Sequence, residues 1–296
     1  LYTIDILLHP ISPFITEYLY HSIFGDEPIL GRTWPSVTDN LINDDLEAEF
    51  SSLQIIISQS NSARMKGKLK RRWPLKLAMV YSQNHSLSNL SNHKELLQKF
   101  CNIRNIEYID DIDQLPITLS IFPNYEILGK KLKADIVDFR RIIKEQDALI
   151  LFKHFIKNES FVFTINNNSY EVMKNEIKFE FNPADDYVLS SKSGIVVVLP
   201  KERDSDLFIE GYIRDLARRI QSERKETGLD PSTMLKNTLI YGIEESTKTL
   251  LIPKLSELKY LIRTDDVQVV EDLTLGSNWK DIDIDGTKLK ICIINS

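Results

Sequence analysis

The residues with the densest chemistry are Lys66-Gly67-Lys68-Leu69-Lys70-Arg71-Arg72, five cations in seven positions with no acid, followed by Trp73. Closely spaced ammonium and guanidinium groups on a loop neutralise phosphates, and a neighbouring indole can stack on a base. The alternative is a solvated basic turn with Trp73 buried under a sheet. A second candidate is the stripe Arg214, Arg218, Gln221 and Lys225, spaced to share one helix face, with Arg219 and Arg224 beside it. Its alternative is a solvated face whose cations pair with Glu210, Asp215, Glu223 and Glu226.

Catalytic patterns are missing from the sequence. It has no Gly-x-Gly-x-x-Gly, no Gly-Lys-Ser/Thr loop, no His-x-x-x-His and no Cys-x-x-Cys. The five histidines are scattered, and Cys101 and Cys292 lie too far apart in sequence to suggest a metal pair, so two buried reduced thiols are expected. Asp110, Asp111 and Asp113 lack calcium-loop spacing and read as a solvated turn. The net charge of −6 opposes nucleic-acid binding on its face. Much of the acidic excess, however, sits between Asp39 and Glu49 and in the last quarter, so distribution rather than sum decides.

The elements that must position these groups are legible from periodicity. Pro10 and Pro13 divide a helical stretch over 1–24. Asp44 or Asp45 is placed to cap a helix over 46–65, with Leu46, Phe50, Leu53, Ile56, Ile57 and Ser60 inward. The basic run follows it. Strands are expected at 75–81 and 106–109, with a helix over 91–102 burying Leu96, Leu97 and Phe100. Hairpins are expected at 161–172 around three asparagines, at 187–199, and in the tail around Asp285-Gly286. A long helix over 206–227 ends at Gly228, and a strand, a helix over 246–261 and a strand follow it.

A shift of 160 aligns the sequence with itself. Arg64 meets Arg224, Leu75 meets Leu235, Tyr81 meets Tyr241 and Lys99 meets Lys259, among nine identities over 47 positions. The order long helix, loop, strand, helix, strand recurs in both stretches, which predicts two similar units around a middle segment. The loops differ: KGKLKRRWP in the first, ETGLDPSTM in the second.

These segments resemble a known family. HPISPFITEYLY (9–20) is similar to the helix closing the anticodon-binding bundle of class I aminoacyl-tRNA synthetases of the isoleucyl, valyl and leucyl subgroup. WPSVTDNLINDDLEAEF (34–50) resembles the tryptophan-proline and following acidic helix of the same subgroup, and SARMKGKLKRRWPL (62–75), PNYEILGKKLKADI (123–136) and IEGYIRDLARRIQSERKETGLD (209–230) resemble, in order, segments of isoleucyl-tRNA synthetases. Without a C-terminal cysteine cluster the chain looks more like the archaeal and eukaryotic cytosolic branch. The resemblance implies a parent enzyme that activates isoleucine with ATP and Mg and charges its tRNA. The family's adenylation motifs, His-x-Gly-His and Lys-Met-Ser-Lys-Ser, do not occur here.

The expected fold is α+β: the end of a helical bundle (1–66), a first α/β unit with the middle segment (67–181) and a second α/β unit (182–296). The expected tRNA contacts are Arg64, Lys66, Lys68, Lys70, Arg71, Arg72, Trp73, Arg214, Arg218 and Lys225, with no catalytic or metal residue and no cofactor in this stretch. The expected partner is tRNA rather than DNA or a membrane, since the longest apolar runs, such as 4–8 and 194–199, are too short to span a bilayer. A cytoplasmic monomer is expected, and a chain that starts at Leu1 and runs straight into a helix reads as part of a longer polypeptide. The alternatives are a module that braces the synthetase body or binds a protein, and the equivalent region of a valyl or leucyl enzyme.

Overall fold

The computed structural model describes residues 1–38, 42–83, 90–230 and 232–295. Two compact units divide it, Leu1–Ala48 and Glu49–Ser296. In the first, α1 (Tyr2–Leu8) and α2 (Pro13–Ile23) are separated as the prolines require, with Pro13 in the first turn of α2, where a missing N–H is harmless. Their small core is Ile6, Tyr20 and Ile29.

α3 (Asp44–Lys66) opens on Asn43, whose side-chain oxygen accepts the Leu46 N–H at 3.0 Å. The cap is therefore Asn43, and Asp44 and Asp45 occupy the first turn, where carboxylates favour the helix N-terminus. Leu53, Ile56 and Ser60 are buried as expected, while Leu46 and Phe50 stay exposed.

The second unit is built on two four-stranded sheets. The first orders its strands β2 (Ile103–Ile109), β1 (Leu75–Ser82), β8 (Ile195–Pro200), β7 (Tyr187–Lys192). The second orders them β10 (Val267–Val270), β9 (Asn237–Tyr241), β12 (Thr287–Ile294), β11 (Lys280–Ile284). In both, the first pair is parallel and the next two are antiparallel. The repeat is thus a repeat of topology. A long helix covers one face of each sheet: α3 on the first, α8 (Ser205–Glu226) on the second.

α4 (Lys94–Cys101) follows β1 and buries Leu97, but Phe100 is 59% exposed, against expectation. A 3-10 turn, Ser91–His93, precedes α4, and the second copy has the same break: in place of the single helix expected over 246–261 stand α9 (Glu245–Leu251), a 3-10 turn Ile252–Lys254 that holds Pro253, and α10 (Leu255–Ile262). Ser86, which the shift of 160 sets opposite Ser246 as one of the nine identities, lies outside the described residues.

The middle segment is an insertion within the first copy. It carries β3 (Ile117–Pro123), α5 (Tyr125–Leu132), α6 (Ile136–Glu145), α7 (Ala148–Lys157), the hairpin β4 (Ser160–Ile165) and β5 (Asn168–Met173), and β6 (Ile177–Pro183), which pairs with β3. The hairpin β7–β8, expected within the unit over 182–296, instead pairs with β1. Its all-apolar strand Ile195–Leu199 is fully buried because both faces of the first sheet are covered, one by α3 and the other by the middle segment. The turns run as the sequence implies: Asn166-Asn167, Ser193-Gly194 and Asp285-Gly286 all have positive φ, the geometry of tight two-residue hairpins.

Candidate nucleic-acid interface

The basic run is held between two buried side chains. α3 stops where the Leu69 N–H turns back to the Arg64 carbonyl at 2.8 Å, with Lys68 at φ +55°. In the second copy the same turn is closed by Leu229 on Arg224 at 2.9 Å, and the left-handed position is filled by Gly228. Leu69 is buried on one side of the loop and Trp73 on the other, leaving Lys70, Arg71 and Arg72 between them.

Arg64 is 1% exposed. Its guanidinium donates to the carbonyls of Lys70, Trp73, Cys101 and Asn102 at 2.9–3.1 Å, tying the loop to the end of α4. Burial pulls its pKa down to about 10, which still leaves it charged at neutral pH. Arg224 does the same in the second copy, donating to the carbonyls of Asp230, Thr233 and Ile262. Arg64 is therefore a structural clamp, and its expected contact with tRNA is corrected: its N–H fork has no surface to offer a phosphate.

Trp73 is also corrected. At 1% exposure it has no face free to stack on a base. Its ring joins the core of the second copy, packed edge-on to Phe208 at 5.4 Å between centroids. The Lys70 ammonium lies 5.2 Å and the Arg203 guanidinium 4.5 Å from its centroid. The indole N–H donates to Asp215 at 2.8 Å. Gly211 makes room for the ring: a Cβ there would sit 2.6 Å from Trp73 Cδ2.

Trp73 therefore fastens the first copy's loop to the second copy's helix, and the two candidate patches meet. Lys70, Arg71, Arg72, Arg218 and Arg219 line one open cleft of about 580 Å³ around Asp215. Asp215 lies 3.3 Å from the Lys70 ammonium and 3.9 Å from the Arg72 guanidinium, and Asp285 holds Lys70 from another direction at 3.2 Å. Among the described residues, Arg71, Arg218 and Arg219 have no carboxylate within ion-pair distance. The backbone of Arg71 is fixed by the Asn102 amide at 3.1 Å. Five cations around one carboxylate, mostly exposed and with a fixed backbone, form a surface suited to successive phosphates.

The remaining expected residues fall outside this cleft. Lys66 donates to the Leu189 carbonyl at 3.2 Å, and Lys68 is exposed on the turn. Arg214 pairs with Glu210 at 2.6 Å and lines a neighbouring groove with Lys99 and Arg104, while Lys225 lies exposed in the last turn of α8. Arg219 and Asp215 are central to the cleft but were not among the expected contacts. The signal for Arg219 is its place beside Arg218, and the signal for the docking is Gly211 in the interior of a long helix, where glycine costs stability that a close approach can repay. The acidic turn is neutralised by Lys153, at 2.9 Å from Asp111 and 2.5 Å from Asp113. Among the described residues, no group of three or more His, Cys, Asp or Glu side chains is arranged to hold a metal, and no helix is long and apolar enough to cross a membrane.

Residues 1–79 match the anticodon-binding domain of tRNA ligases, a span that includes α3, the basic loop and most of β1. The isoleucine–tRNA ligase of Clostridium tetani is 24% identical over 298 residues, covering 97% of this chain and 28% of that protein. That of Haloquadratum walsbyi is 28% identical over 235 residues, covering 79% of this chain and 21% of the relative. That of Archaeoglobus fulgidus is 26% identical over 253 residues, covering 81% and 23%. The chain thus spans between a fifth and a third of the length of these relatives, which come from both bacteria and archaea. Over most of its length this chain is similar to isoleucine–tRNA ligases at modest identity, and residues 1–79 match the anticodon-binding domain of tRNA ligases.

Proposed function

We propose that this chain is the C-terminal, tRNA-holding region of an isoleucine–tRNA ligase, and that the cleft between the basic loop and α8 takes phosphates of the anticodon arm. The observation that carries this reading is convergence: two basic segments about 145 positions apart close on one cleft through Trp73. The mechanism is positional. Arg71, Arg72, Arg218 and Arg219 neutralise backbone charge, Lys70 is held back by its two carboxylates, and the second copy of the repeat, anchored on Trp73, keeps the loop in place. The parent enzyme would activate isoleucine with ATP and Mg in the cytoplasm as a monomer. This chain has none of the family's adenylation motifs, so no step through ATP is assigned to its residues.

The test is a salt titration of tRNA binding to the chain and to the variant Arg71→Ala/Arg72→Ala/Arg218→Ala/Arg219→Ala. Each lost phosphate contact lowers the slope of log affinity against log salt by about 0.7 to 0.9. An unchanged slope and affinity would refute the assignment. It would favour a bracing role instead, which the pairing of Lys70 with Asp215 and Asp285 also suits.

A further inference from the structure

Among the described residues, glycine stands inside an α-helix at Gly211 and Gly129, and the chain itself explains only the first. At Gly211 the missing Cβ makes room for Trp73. At Gly129, in α5, an added Cβ would meet nothing within 4 Å, and no positive φ demands glycine. The Gly129 carbonyl accepts the Lys133 N–H, so the residue belongs to the hydrogen-bonded helix and is not its cap. Apart from proline, no residue suits a helix less well than glycine. Here that cost leaves bare helix backbone beside open space.

The neighbours give this space its character. Tyr125 lies one turn before Gly129, on the same face of α5. The Arg140 guanidinium, from α6, rests 4.6 Å from the Tyr125 ring centroid. Asp138 pairs with Arg141 at 3.5 Å, and among the described residues no carboxylate lies within 4.0 Å of Arg140. Arg140 is exposed, and so is Lys144, one turn further along the same side of α6. A guanidinium held over an aromatic ring keeps N–H donors for a phosphate. The glycine favours RNA over an acidic protein. Carboxylate side chains could reach Arg140 across an alanine as well as across a glycine. A phosphodiester carries its charge in the backbone, which must itself come close.

We propose that Tyr125, Gly129 and Arg140 form a second tRNA contact, in which the RNA backbone passes over Gly129 and Arg140 takes a phosphate. The contact rests on the reading of this chain as tRNA-holding, but it uses none of the cleft residues.

The test compares Gly129→Ala, Arg140→Gln and the fourfold cleft variant, each in the whole chain, by tRNA affinity, its salt dependence and hydroxyl-radical footprints on the tRNA. Gly129→Ala should weaken tRNA by about threefold or more while raising the thermal unfolding midpoint, a combination that a purely structural role cannot give. Arg140→Gln, at an exposed position, should weaken tRNA by about threefold to tenfold and lower the salt slope by about 0.7 to 0.9. Both variants should lose protection at the same nucleotides, and the cleft variant at others. Full affinity and an unchanged footprint in Gly129→Ala and Arg140→Gln would overturn this contact and leave the cleft standing. Weakening in these two beside an unchanged cleft variant would uphold it and refute the cleft. Poly-glutamate binding that Gly129→Ala weakens as much as it weakens tRNA would overturn it in favour of an acidic protein partner.

Discussion

The sharpest test of the cleft is Asp215→Asn, because it should loosen the fold while tightening RNA binding. Asp215 is the cleft's one carboxylate, with its side chain 14% exposed. It accepts the Trp73 indole N–H at 2.8 Å and pairs with Lys70 at 3.3 Å. Asparagine keeps an oxygen for the indole but loses the charge. A hydrogen bond to a neutral acceptor is weaker by about 1 kcal/mol, and the half-exposed Lys70 pair contributes about 0.2 to 1 kcal/mol, so stability should fall by about 1 to 2 kcal/mol. For the ligand the sign reverses. A carboxylate about 6 Å from a bound phosphate repels it by about 0.7 kcal/mol in water and about 2.8 kcal/mol at a protein surface, and salt near 0.15 M roughly halves both. Removing it should raise tRNA affinity about twofold to tenfold. Fluorescence anisotropy with labelled tRNA reads the affinity, and thermal unfolding reads the stability. A folded variant with unchanged or weaker affinity would refute phosphate binding in this cleft.

Gly211→Ala should act in the opposite sense to helix propensity. Alanine favours a helix interior by about 1 kcal/mol, but a Cβ 2.6 Å from the Trp73 ring imposes overpacking of about 1 to 3 kcal/mol. Chemical denaturation should show a net loss, and a gain in stability would mean that Trp73 is not seated there. Arg64→Leu strips donors from four carbonyls and should cost at least about 3 kcal/mol, with Arg224→Leu costing a comparable amount, since the clamps are equivalent. Equilibrium unfolding showing less than 1 kcal/mol for both would rule out the clamp. The Asp135 carboxyl, held below the usual range by Tyr170, Asn166 and Asn168, contributes stability above the unfolded carboxylate pKa of about 4 and loses it as pH falls through its lower folded value. A carboxyl titration by NMR checks this, and an ordinary Asp135 pKa would contradict it.

The legible features were those set by neighbours along the chain. Proline positions, hairpin asparagines and glycines, and apolar periodicity placed most elements, because backbone restriction and amphipathic spacing are local properties. The repeat could be read from element order, and the structure gives both copies one strand order. Misreadings arose where a distant segment decides. Phe100 fits the inward spacing of its helix yet stays exposed, and the hairpin 187–200 follows the insertion in sequence yet belongs to the sheet before it.

The candidate site divides the same way. By itself the sequence determined that cations cluster at 66–72 and along 214–225, and that no recognised catalytic motif accompanies them. It could not tell which of those cations face solvent. Arg64 and Arg71 are equally basic in sequence, yet Arg64 is consumed by four backbone carbonyls and Arg71 opens onto the cleft. Trp73 read equally well as a stacking ring or a core residue. Only the tertiary structure decided, because Gly211 and Asp215, far along the chain, complete a socket that matches the indole's shape and its single N–H donor.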